Sequence, residues 1–180
     1  MREDRAEGEA VTAYVTGRFR RCMDKLLTLE GGYVNHKSDK GGETKFGISK
    51  RSYPTLNIAA LTRDDATQIY HRDYWSPLHL DEFASEELAS AVFDMGVNAG
   101  IGRAAKLLQT SVNNLGKPLS VDGHIGRATV AMVNSFPEEL LLDEFKTECC
   151  RHYDRIVAND PTQAVFLKGW KRRIYGSEEA

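Results

Sequence analysis

Three side chains in the first quarter of the 180-residue sequence have the types and spacing to cleave an acetal: Glu30, Asp39 and Thr44. Helical spacing carried on from Phe19, Met23 and Leu26 places position 30 on the same apolar stripe, so Glu30 is expected to point toward the core side. Desolvation there, the negative end of a helix dipole and any second carboxylate would each raise its pKa. A carboxylic acid that keeps its proton at neutral pH can act as a general acid. Asp39 falls in a polar stretch where it can stay ionised, and Thr44 has a hydroxyl able to hold a water. A protonated acid, an ionised carboxylate and a water holder are the parts glycoside hydrolysis needs. Plainer uses also exist: a helix-terminal Glu can bend into solvent, and Asp39 before Lys40 and Gly41 suits a turn.

The elements that must position these residues can be traced along the chain. Phe19, Cys22, Met23, Leu26 and Leu27 make one helix face, which ends at Glu30 before the Gly31-Gly32 exit. The polar, Gly-rich stretch 31–50 suggests a small hairpin, with Tyr33-Val34 and Thr44 to Ile48 as strands about a Gly41-Gly42 turn. Thr62 to Asp65 forms a capping box for a helix carrying Ala66, Ile69, Tyr70 and Trp75, which Pro77 ends. Two apolar helices follow, one with Leu88, Ala91, Val92 and Met95, the next with Ala104, Leu107, Leu108, Ser111 and Val112. A loop from Gly116 to Gly126 leads to a short helix at 127–134. Pro137 opens a long one with Leu141, Phe145, Cys149, His152 and Ile156 on one stripe, and a final helix covers Phe166 to Tyr175. The pattern is a mainly α, α+β protein: a helical bundle with one small β-hairpin or sheet beside Glu30.

Composition excludes several other classes. Hydrophobic residues make up 41% and charged residues 28%, inside the globular range, and the net charge of −2 gives no global reason to expect a nucleic-acid partner. No apolar run approaches the roughly 18 residues of a membrane span. The leader MREDRAEGEA lacks the basic start and apolar stretch of a secretory signal, so synthesis in the cytoplasm is expected. Three cysteines, an odd count, read as thiols and not as a disulfide framework. His36, His71, His79, His124 and His152 show no ligand spacing, so no metal or other cofactor is expected.

The stretches LEGGYVN at 29–35 and DKGGETKFGI at 39–48 closely resemble the signature of the N-acetylmuramidases of glycoside hydrolase family 108. The resemblance continues through YHRDYW at 70–75 and FDMGVNAG at 93–100. Beyond Leu108, VDGHIGRAT at 121–129 and FLKGW at 166–170 look like the predicted peptidoglycan-binding segment that follows in this family. The resemblance implies a lysozyme-like fold and cleavage of the β-1,4 bond between N-acetylmuramic acid and N-acetylglucosamine, with Glu30 as proton donor. It is also similar to the Glu, Asp and Thr arrangement of phage lysozymes, where eight residues lie between Glu and Asp and five between Asp and Thr. Here eight separate Glu30 from Asp39 but only four separate Asp39 from Thr44. One residue fewer turns a strand's side chains to the other face, so Glu43 competes with Asp39 as second carboxylate.

The implied organisation is a polar leader at 1–18, a catalytic domain at 19–108, a wall-binding helical segment at 109–176 and a tail at 177–180. Tyr33, Glu43, Tyr74 and Asn98 are candidate substrate contacts, each with an alternative use in packing or at a helix end. The expected partner is the peptidoglycan glycan strand, met in the periplasm or wall by a monomer without nucleic acid or membrane insertion. A phage-type lysis role or passage of a secreted toxin would need a holin or another route to the wall. A wall-binding protein that keeps the fold without catalysis is the alternative.

Overall fold

The computed structural model describes residues 17–29 and 43–176. The chain groups into two compact units, residues 1–76 and 77–180, each described here by itself.

In the first unit, helix α1 (Gly17–Leu29) buries Phe19, Cys22, Met23 and Leu26, the stripe expected from their spacing. Strands β1 (Thr44–Lys45) and β2 (Ile48–Ser49) pair antiparallel, Thr44 opposite Ser49 and Lys45 opposite Ile48. The hairpin therefore turns at Phe46-Gly47, and the segment Thr44 to Ile48 is not a single strand. Both turn residues have positive φ, 55° and 78°, the conformation that a two-residue loop between twisted strands demands. The other expected strand, Tyr33-Val34, and the Gly41-Gly42 turn lie outside the described residues.

Helix α2 (Arg63–Tyr70) starts with the expected capping box: the Thr62 side chain accepts from the Asp65 N–H while the Asp65 carboxylate accepts from the Thr62 N–H. The chain does not stop at Tyr70 or run straight to Pro77. It widens into a π-helical turn, His71–Trp75, and Pro77 sits in the 3-10 turn after it. The wide turn carries Trp75 into the core at 0% exposure, against Phe19 with ring centroids 5.0 Å apart. Trp75 is therefore a packing residue.

The second unit is built from α3 (Glu86–Ala99), α4 (Ile101–Asn114), α5 (Arg127–Val133), α6 (Glu138–Asn159) and α7 (Ala164–Tyr175). Ser85 caps α3 by accepting from Leu88 N–H and donates to the Glu138 carboxylate at 2.6 Å. Gly100, at φ 89°, makes the one-residue joint between α3 and α4. Ala104, Leu107, Leu108, Ser111 and Val112 are all buried on α4, as their spacing predicts. On α6 Leu141, Phe145 and Cys149 of the expected stripe are buried and Tyr153 joins them, while His152 and Ile156 are half-buried. Cys22 and Cys149 are buried free thiols and Cys150 a half-buried one. Among the described residues, no helix is long and apolar enough to cross a membrane.

Candidate active site

Helix α1 delivers the chain to Leu29, one residue before Glu30. Glu30, Tyr33 and Asp39 lie outside the described residues, so the geometry available for the site is that of Glu43, Thr44 and Tyr74 in the first unit and Asn98 in the second.

The pleat of the hairpin sorts its side chains. Residues directly opposite in an antiparallel pair point to the same face. Ile48 is 2% exposed, so its face and that of Lys45 look inward, and the Lys45 ammonium reaches the Ala59 carbonyl at 2.8 Å. Thr44 and Ser49 consequently share the outer face, both half-exposed. The ladder is extended by a bond from Lys50 N–H to the Glu43 carbonyl at 2.8 Å. Alternation then assigns Glu43 and Lys50 to the inner face, opposite to Thr44. The hairpin thus separates two residues that are neighbours in sequence.

The turn of the hairpin is tied to the helix that carries Tyr74. The Tyr70 hydroxyl donates to the Phe46 carbonyl at 3.0 Å, and the rings of Tyr70 and Tyr74 lie 5.5 Å apart. Phe46 itself holds a left-handed φ, unusual for an aromatic residue, and the Tyr70 bond helps to keep it there.

A further group in the first unit joins residues far apart in the chain. The Tyr53 hydroxyl donates to the Asp73 carboxylate at 2.7 Å, while Arg72 makes two bonds to the same carboxylate at 2.6 and 2.7 Å. The Arg72 hydrogen bonds hold Asp73 below the usual carboxylate range, and Tyr53 adds to the effect. Burial, and then the bond to Asp73, pushes the Tyr53 phenol well above its ordinary value. Asp73 is thus held as an anion and Tyr53 as a neutral donor. An Arg-Asp-Tyr run was visible in the sequence, but the partner 20 residues away was not.

Asn98 is exposed near the end of α3, where its side-chain N–H donates to the Asp94 carbonyl at 2.7 Å and to the Asp94 carboxylate at 3.1 Å. Its side-chain oxygen is left to face solvent or a ligand. Further on, the loop 121–126 is held by Gln109, 1% exposed: its amide donates to the Asp122 carboxylate and the His124 carbonyl at 2.8 and 2.9 Å and accepts from Gly123 N–H at 2.9 Å. Of the four basic residues near the C-terminal end of α7, Lys171 pairs with Asp154 and Arg173 with Asp94. No group of His, Cys, Asp and Glu able to hold a metal ion occurs among the described residues.

Comparison with known proteins assigns these two regions. Residues 23–100 match the model of glycosyl hydrolase 108, and residues 103–175 that of a predicted peptidoglycan domain. Among solved structures, the chain is similar to SagA of Brucella abortus, with 29% identity and a TM-score of 0.71 over 89% of this chain and 91% of that one. No curated protein matches the chain. The mainly α architecture, with a two-stranded antiparallel sheet among the described residues, accords with the lysozyme-like fold. Residues 23–100 are thus a glycosyl hydrolase 108 region and residues 103–175 a predicted peptidoglycan domain, a pair that supports a glycoside hydrolase acting on peptidoglycan.

Proposed function

We propose that the protein is an N-acetylmuramidase, cleaving the β-1,4 bond between N-acetylmuramic acid and N-acetylglucosamine. The observation that carries this reading is the glycosyl hydrolase 108 match across residues 23–100, which takes in Glu30, Asp39 and Thr44 in one segment. Glu30 protonates the glycosidic oxygen as the bond to the anomeric carbon breaks. Asp39 stabilises the oxocarbenium-like carbon or activates the attacking water, and Thr44 orients that water. The hairpin favours Asp39 over Glu43 as the second carboxylate, because alternation turns Glu43 to the face opposite Thr44. Tyr74 and Tyr33 are read as sugar contacts. No cofactor enters this chemistry.

The enzyme would work on the wall from the periplasmic side, as a monomer, in phage-type lysis or in the passage of a secreted toxin. A holin or an equivalent route would bring it there. The test is muropeptide analysis after digestion of purified sacculi. New reducing ends on N-acetylmuramic acid support the reading, and release of stem peptides in their place would replace it with an amidase or peptidase. Binding of sacculi without any cleavage would favour the non-catalytic alternative.

A further inference from the structure

Helix α7 has an outer face that its own unit does not explain. It buries no side chain fully, and its first turn presents Val165 at 78% and Phe166 at 53% exposure. Gly169 follows four and three residues later, between them on the helix surface, and a Cβ built there meets nothing within 4 Å. Glycine in an exposed helix interior costs stability relative to alanine, and here neither crowding nor a positive φ requires it. The result is a shallow notch with an aromatic wall. Trp170 supports that wall, stacked on Tyr153 with ring centroids 4.7 Å apart and 5.8 Å from the Phe166 ring.

Polar groups continue the same stripe. Arg173 lies four residues beyond Gly169, and its guanidinium binds the Asp94 carboxylate at 3.0 Å, the carboxylate that also accepts from Asn98. On the other flank Lys168 and Arg172 are exposed and make no ion pair among the described residues. A flat apolar patch beside a planar Arg, Asp and Asn array is the chemistry that recognises a pyranose. The ring's C–H face needs an aromatic surface, and its hydroxyl and acetamido groups need fixed donors and acceptors. The two free cations suit carboxylates of the lactyl and stem-peptide groups.

We propose that this face of α7, with Asp94 and Asn98 of α3, is a glycan-binding site that seats a peptidoglycan strand across Gly169. The proposal rests on peptidoglycan as the substrate. A second copy of the chain is a poorer occupant, because two-fold pairing across this face would bring Lys168 and Arg172 of each copy toward like charges of the other.

The test uses the full chain, mixed with purified sacculi on ice and pelleted. Gly169→Ala fills the notch with a methyl group. It is expected to raise Tm by about 2 °C, as an exposed helical Gly-to-Ala change should, while weakening sacculus binding about tenfold. Phe166→Ala is expected to weaken binding similarly with Tm unchanged, since the side chain is mostly in solvent. A stabilised Gly169→Ala protein that binds sacculi like the parent would overturn the site. So would a parent chain that does not bind sacculi, or a concentration-dependent dimer that Phe166→Ala abolishes. A parent chain that binds through this face but releases no reducing ends would support the site and overturn the proposed catalysis.

Discussion

The hairpin turn at Phe46-Gly47 and the loop around Gly123 solve the same problem in opposite ways. Each must hold the backbone at positive φ. The second-unit loop does so with glycine and a buried clamp: a Cβ on Gly123 would come within 3.1 Å of the Gly102 carbonyl, and Gln109 fastens the loop through three hydrogen bonds. The first-unit turn places an aromatic residue in the left-handed region and secures its carbonyl with the Tyr70 hydroxyl. One loop is set for stability, while the other stores strain two residues from Thr44. Strain kept where a stable choice was available, Asn before Gly being the favoured pair for such a turn, fits a segment shaped by its substrate.

That contrast can be broken by substitution. The largest effect on stability is expected from Gln109→Leu, which takes the partner from the part-buried Gly123 N–H and His124 carbonyl and should cost about 1–3 kcal/mol. Urea unfolding measures it, and a loss under about 1 kcal/mol would mean the clamp is incidental. Thr44→Val keeps the shape and strand preference of a half-exposed outer-face residue. Stability should change by less than about 0.5 kcal/mol while turnover on sacculi falls about 10- to 100-fold. Equal activity in the two proteins would remove Thr44 from the site. Phe46→Asn relieves the left-handed aromatic and should stabilise the protein by roughly 1 kcal/mol, so a destabilised variant would show that the ring's packing outweighs the strain.

The smallest expected effect is electrostatic. Burial, with Arg103 and Arg155 nearby, lowers the pKa of His152 below its ordinary 6.5. The unfolded chain then binds a proton more readily than the folded one, so the contribution is intact above about 6.5 and is lost as pH falls through the lower folded value. His152→Gln should flatten the decline of Tm between neutral and mildly acid pH. An unchanged slope would place the acid sensitivity elsewhere.

How legible each feature was in the sequence follows from how local its cause is. The Thr62 capping box and the α4 stripe depend on neighbours within one or two turns, and spacing revealed them. The turn at Phe46-Gly47 was not visible in the sequence because phenylalanine is a poor turn signal. What holds Phe46 is a hydroxyl 24 residues away. The Gln109 clamp and the Tyr53–Asp73 pair were invisible for the same reason, since each joins residues that only the folded chain brings together. Glu30 and Asp39 lie outside the described residues and stand as candidates on their types and the motif around them.

The central claim is that Glu30 supplies the proton for cleavage. Glu30→Gln removes the acid and keeps its size, so the protein should remain folded by circular dichroism and still pellet with sacculi. Mass spectrometry of its digests should show no new N-acetylmuramic acid reducing ends, against abundant ends from the parent. Parent-like release of those ends by the folded variant would contradict the account.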